Sequence, residues 1–238
     1  MKSENVKKIA LTKDPSGRIR SEAVDALGYS EDKEVIHDLI ELLNNDPDWR
    51  VRCSAAEALC RLGVKLGAKE AIEPLIASLK DPDSYVRYCA ADALGELGAK
   101  EAIEPLIALL KDKDDRVRGI SAEALGKLGA KKAVKPLIDF LTNALTNARD
   151  RSARLYAIWS LGKIGDKEAV KPLIDLLNDG GDLIRIKAIQ ALIQFPNLRE
   201  LLNEPDNSHG KAFFMNLENL NGEVRSIAKQ ALDKLQRM

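Results

Sequence analysis

An aliphatic residue followed by arginine returns along the chain at Ile19-Arg20, Val51-Arg52, Val86-Arg87, Val117-Arg118, Ile184-Arg185 and Val224-Arg225, with Ala153-Arg154 as a weaker copy. Successive copies are 32, 35, 31, 36, 31 and 40 residues apart. Self-similarity at this period restricts the chain to a stack of supersecondary units, none of which can bury its apolar stripe alone. Residues 99–129 show one unit most clearly. Ile103, Leu106, Ile107 and Leu110 recur at i, i+3, i+4 and i+7, which lines one face of a helix. An aspartate-rich break at 112–115 follows. Val117, Ala122, Leu125 and Leu128 then restart the period, and Gly129 stands where a left-handed cap is wanted. The expectation is an all-α chain, an α-α superhelix of about seven helix pairs forming one domain over 1–238. Residues 1–30 and 211–238 are its capping units, more polar toward the ends as terminal units of an array should be.

Breaks in the period fall between units, where loops tolerate insertion. They arise at Val64-Lys65-Leu66-Gly67, at 142–150 and at 195–210, where Pro196, Pro205 and Gly210 mark an irregular connection. Gly28, Gly63, Gly98, Gly129 and Gly165 are read as C-terminal caps of second helices. Pro74, Pro105, Pro136 and Pro172 recur in first helices and, placed beyond the first turn, should bend them alike. The pairs Asp14-Pro15, Asp46-Pro47 and Asp81-Pro82 mark turns inside units.

Charge excludes some partners. Thirty-seven Lys and Arg balance thirty-seven Asp and Glu, so no global field attracts nucleic acid or an anionic membrane. No apolar run approaches the roughly 18 residues of a membrane span, and the N-terminus carries no signal-peptide pattern. Cys53, Cys60 and Cys89 are odd in number and lack metal-ligand spacing, so reduced thiols in a cytoplasmic protein are the default expectation, with no metal and no cofactor.

Units such as AIEPLIALLKDKDDRVRGISAEALGKLG resemble the HEAT-like repeats of the phycobilisome lyase type over nearly the whole chain, most closely across 68–179. The resemblance implies a right-handed superhelix with first helices outside and second helices on the concave face. It is poor for function, because proteins similar in this way include bilin lyase subunits, alkylpurine DNA glycosylases, a di-iron hydroxylase and plain binding scaffolds.

Comparison of the copies separates scaffold from working surface. Counting from the residue before each arginine as position 0, apolar residues at 0, +4, +7, +8 and +11 fall within about 100° of arc and form the core face. The arginine at +1 recurs in every unit beside aspartate-rich turns, which favours pairing between neighbouring units over a phosphate ladder. Positions −1, +2, +3, +6 and +10 vary. They hold Tyr29, Tyr85, Tyr88, Tyr156 and Trp159, with Trp49 on the edge at −2 and Ile120 at +3. Aromatic residues gathered on a face the stack does not need mark binding surfaces. At +6, Asp25, Glu57, Asp92 and Glu123 form an acidic row that Trp159 ends. Such a row repels phosphates and disfavours nucleic acid.

Catalysis has little support. His37 and His209 are the only histidines, His37 is read as solvent-facing, and neither has the His-Glu pairing a di-iron site requires. Cys53 and Cys89, at +2 and +3 of adjacent units, could face one groove, but no histidine stands by as a base. The sequence therefore reads as a non-enzymatic scaffold that binds a protein or peptide on its concave face through Trp49, Tyr85, Tyr88, Asp92, Ile120, Glu123, Tyr156 and Trp159. A bilin lyase-type subunit handling a tetrapyrrole is the alternative, and a glycosylase-like nucleobase enzyme is the third reading.

Overall fold

A computed structural model describes residues 11–67, 69–143, 151–178, 181–195, 198, 200 and 222–237. Twelve α-helices account for most of them. They are α1 (Gly17–Leu27), α2 (Val35–Asn45), α3 (Trp49–Leu66), α4 (Ile72–Ser78), α5 (Ser84–Glu96), α6 (Ile103–Leu109), α7 (Asp115–Lys127), α8 (Val134–Asn143), α9 (Arg151–Ile164), α10 (Val170–Asp175), α11 (Asp182–Leu192) and α12 (Gly222–Arg237). No strand occurs among the described residues. The recurring arginines all fall on the second helices α1, α3, α5, α7, α9, α11 and α12, as the period requires. Two compact units divide the chain, Met1–Ala124 and Leu125–Met238. His209 and most of 195–210 and 142–150 lie outside the described residues.

In unit Met1–Ala124 the core is built from the positions the period selects. Val24, Leu27, Val51, Ala55, Ala58, Leu59, Leu62, Val86, Ala90, Ala93 and Leu94 on second helices meet Leu39, Leu43, Leu75 and Leu106 on first helices, all essentially buried. Unit Leu125–Met238 repeats the scheme with Leu137, Ala157, Ile158, Leu161, Leu173, Ala188, Ile189 and Leu192.

Two sequence expectations need correction. Each proline-bearing first helix begins with a 3-10 turn (Lys69–Ala71, Lys100–Ala102, Lys131–Ala133, Lys167–Ala169), and the α-helix starts only at the next residue. Pro74, Pro105, Pro136 and Pro172 are thus third residues of their α-helices, inside the first turn, where an amide N–H has no i−4 partner to lose. The second correction concerns glycine. Gly98, Gly129 and Gly165 do take positive φ, but Gly63 is buried inside α3, and the left-handed cap is Gly67 at φ 67°. The insertion Val64-Lys65-Leu66 extends that helix instead of looping out. Gly28 ends α1 at φ −60°, so it is not needed for its backbone freedom.

Its role is proximity. A Cβ on Gly28 would sit 3.0 Å from Ala58 Cα, one on Gly126 would meet Ser160 at 2.8 Å or less, and one on Gly162 would meet Ala191 at 2.8 Å. In each case position +9 of one second helix abuts position +7 of the next, and Cys60 opposite the Ala93 carbonyl at 3.9 Å follows the same rule. Consecutive second helices therefore approach through a seam that admits only small side chains.

Candidate partner-binding face

The turns between paired helices fix the spacing of the units. Asp46, Asp81 and Asp112 each accept the backbone N–H two residues on, which closes an Asx turn. The same carboxylates receive the guanidinium forks of Arg20, Arg52 and Arg87 from the preceding unit, at 2.7–2.9 Å. Each arginine also donates to carbonyls of its own turn, Arg20 to Asp14, Arg52 to Asp46 and Arg87 to Asp81, all at 2.9 Å. Burial of Arg87 and Asp112 removes this pair from competition with water. The +1 arginines of these three units hold the stack together and offer no ladder for phosphates.

A second inter-unit register lies on the other side of the same helices. Position +2 of one unit meets +3 of the next: Ser21 and Ser54 share a hydroxyl hydrogen bond at 2.8 Å, and Cys53 is joined to Cys89 by a disulfide. The disulfide corrects the expectation of three reduced thiols; repeat register brings together two cysteines 36 residues apart, and Cys60 lies outside the disulfide. The register also corrects the placing of Ile120. It occupies the +3 seam position and is 4 % exposed, like Ser54 and Cys89 before it, so it presents no surface to a partner.

What remains on the second-helix face of unit Met1–Ala124 is aromatic and acidic. Trp49 and Tyr85 stack with ring centroids 4.8 Å apart and planes 22° from parallel. Arg116 lies over Tyr85 at 4.3 Å and Arg50 beside Trp49 at 5.9 Å, giving a cation–aromatic column across three units. Asp48 and Asp114 anchor its ends: each accepts the N–H two residues on as a helix N-cap and pairs with the arginine that follows. Those contacts hold both carboxyls below the ordinary range. Hydrogen bonding from Arg50 dominates at Asp48 and from Arg116 at Asp114, with a further hydrogen bond from Ser84 at Asp114. Tyr88 is exposed, and Tyr29 more so, with Arg61 5.0 Å above the Tyr29 ring.

In the acidic row at +6 the charges of Asp25 and Asp92 both bear on Glu57. The Glu57 carboxyl is pushed above its ordinary value by partial burial first and by the charge of Asp25 next, with Asp92 adding to it and Arg61 opposing. Arg61 reaches Asp25 at 3.4 Å and Glu57 at 3.8 Å. Asp92 and Glu123, half-buried, continue the positions on α5 and α7. In unit Leu125–Met238, Tyr156 is exposed and Trp159 half-buried with Lys163 5.7 Å from its ring. Sequence reading overlooked a cavity of about 350 Å³ in that unit, lined by Leu141, Thr142, Lys171, Pro172, Asp175, Leu176 and Asn178 on the first-helix side. Its signal is faint because Thr142, Lys171, Asp175 and Asn178 are ordinary helix surface and Leu141 and Leu176 are ordinary core positions. His37 is exposed, as its position implied.

The description of HEAT repeats matches residues 7–87, 72–144 and 138–233. No curated protein matches the chain. Among solved structures, Escherichia coli YibA aligns with 100% of this chain and 83% of its own at 21% identity and a TM-score of 0.75. Kap121p bound to Pho4p aligns with 94% of this chain and 26% of its own at 18% identity and a TM-score of 0.69. Computationally designed armadillo repeat proteins for modular peptide recognition align with 84% of this chain and 99% of their own at 23% identity and a TM-score of 0.57. At these identities the likeness establishes the all-α repeat fold and nothing finer.

Proposed function

The chain belongs to the HEAT-repeat family, and we propose that it is a non-catalytic scaffold whose second-helix face in unit Met1–Ala124 binds a basic or amphipathic polypeptide. The observation that carries this reading is the acidic row: Asp25, Glu57 and Asp92 recur at one position of successive second helices, burial first and then the charge of Asp25 push the Glu57 carboxyl up, with Asp92 adding and Arg61 opposing, and exposed Tyr88 lies one turn from Asp92. A Lys- or Arg-bearing segment relieves that repulsion while its apolar side chains cover Tyr88 and the Trp49–Tyr85 column. Asp92 and Glu123 extend the same preference along the repeats. Tyr156 and Trp159 are assigned as a second aromatic contact within their own unit. Kap121p bound to Pho4p and the designed peptide-recognition repeats are in keeping with a polypeptide ligand.

The test is selection of a displayed peptide library on the immobilised full chain, followed by titration of synthetic winners. Winners should be enriched in Lys and Arg with interspersed aromatics, and their binding should weaken with salt. Tyr88→Ala should cut affinity by about tenfold or more, as for a hot-spot residue, with the thermal midpoint unchanged. Acidic or unenriched winners would overturn the reading. Uptake of a bilin, with a coloured covalent adduct, would replace it by the lyase alternative, and retained nucleic acid by the glycosylase one.

A further inference from the structure

Repeat register assembles a cluster that sequence spacing conceals. The sulfurs of Cys53 and Cys89 and one oxygen of Glu57 all lie within 4.8 Å of one another. Glu57 Oε1 is 3.7 Å from Cys89 Sγ and 4.0 Å from Cys53 Sγ. Cys53 and Glu57 stand one turn apart on α3, and Cys89 faces them from α5, its Cα 5.7 Å from that of Cys53. We propose that in the dithiol state this cluster is a binding site for a thiophilic divalent cation, Zn²⁺, with Cys53, Cys89 and Glu57 as protein ligands and a water completing the tetrahedron.

Three features of the cluster favour a cation. First, the distances fit. Zinc–sulfur bonds of about 2.3 Å and zinc–oxygen bonds of about 2.0–2.2 Å at tetrahedral angles put a sulfur and an oxygen about 3.6 Å apart. Both sulfur–oxygen separations are already close to that value. Only the sulfurs must part, as they do once no bond joins them. Second, Glu57 pairs with Arg61 through Oε2 at 3.8 Å, while Oε1 is the oxygen turned to the sulfurs, and a disulfide offers it no proton to accept. Third, access is suitable. Cys89 is buried, Cys53 half-buried and Glu57 exposed, which leaves the Glu57 side open to an entering ion and a water ligand. Two thiolates select zinc over calcium or magnesium, which take oxygen ligands.

The chemistry balances simply. The disulfide is the two-electron oxidised form; a phosphine and one water reduce it to two thiols, the phosphine leaving as its oxide. Zinc then replaces the two S–H protons, which leave to solvent, and the Glu57 carboxylate binds in its charged form, releasing with them any proton it holds.

The experiment uses the full chain reduced with a phosphine and titrated with Co²⁺ as the visible probe, then with Zn²⁺ in competition with a chromophoric chelator. One Co²⁺ per chain should bind with thiolate-to-cobalt charge-transfer absorption and the intense visible bands of a tetrahedral ion, and Zn²⁺ should bleach them. Cys53→Ser and Cys89→Ser should each abolish the charge-transfer bands, Cys60→Ser should leave them, and Glu57→Gln should weaken binding by about tenfold or more. Far-UV circular dichroism confirms that each variant is folded. The oxidised chain should take up no ion at the same site. No stoichiometric uptake by the reduced chain at micromolar metal overturns the proposal, as does binding that survives Cys53→Ser or is indifferent to Glu57→Gln. These outcomes are independent of whether a polypeptide binds the same face.

Discussion

Arg52 grips Asp81 of the following unit with two hydrogen bonds, Nε at 2.8 Å and Nη2 at 2.9 Å, while Nη1 donates at 2.9 Å to the Asp46 carbonyl of its own turn. One guanidinium thus ties two successive turns, and Arg20 and Arg87 do the same for their neighbours. The planar fork is what an ammonium cannot supply. Replacing Arg87 by methionine leaves the Asp112 carboxylate buried without its partner, which costs about 3–5 kcal/mol. Arg87→Lys keeps the charge and loses the fork, so its loss should fall between that figure and the ~1 kcal/mol typical of a surface pair. Urea midpoints of the two variants measure this; equal stability of Arg87→Met and the parent would remove the arginine from the list of stack-forming residues.

Gly162 offers a test of sign. On helix propensity alone, glycine to alanine within α9 should stabilise by about 1 kcal/mol. The seam argues the reverse, because the new Cβ would stand 2.8 Å from the Ala191 Cα, a backbone atom that cannot swing aside. Gly162→Ala should destabilise by about 1–3 kcal/mol, the usual cost of overpacking. A raised thermal midpoint in that variant would show that the helices can move apart freely.

Periodicity made the helices, their pairing and the structural role of the +1 arginines legible, because a core face repeats seven times and each copy checks the others. What it could not convey was inter-unit register. Whether +3 looks outward depends on how far one helix is turned against the next, and that angle is set by the small residues at +9. Hence sequence alone places Ile120 on the surface and takes Cys53 and Cys89 no further than a shared groove. Gly28 and Gly63 look like caps in the sequence because a glycine near a helix end suits either a left-handed turn or a close contact, and only the fold separates the two. Tyr88 and the acidic row keep exposed or half-buried side chains, and the partner they are proposed to meet is left to the binding test.

The Trp49–Tyr85–Arg116 column should behave as an interacting set. A double-mutant cycle of Trp49→Ala and Tyr85→Ala is expected to return a coupling of about 0.5–1.5 kcal/mol, the range for stacked aromatic pairs. Against a Trp159→Phe background, Tyr85→Ala should also shift Trp49 emission as its stacked neighbour leaves. Additive losses and an unmoved spectrum would mean the rings merely lie near one another.

Asp114 carries the pH dependence that can be assigned. Its carboxylate caps α7 through the Arg116 N–H at 3.0 Å and pairs with the Arg116 guanidinium at 2.7 Å, and these contacts hold its pKa below the unfolded value. A carboxyl depressed on folding contributes stability that is fully present above its unfolded pKa, about 3.9, and is lost as pH falls toward the folded value. Asp114→Asn keeps a good N-cap and loses the charge, so at neutral pH it should cost less than Asp114→Ala, for which about 1 kcal/mol is typical of a lost cap. Below about pH 4 the difference between parent and Asp114→Asn should narrow steadily as pH falls, because the unfolded parent takes up a proton that its folded Asp114 carboxylate does not. Urea midpoints followed by circular dichroism from pH 7 down to pH 2 measure it. Curves that stay parallel through the acid range would place the acid sensitivity at other carboxylates.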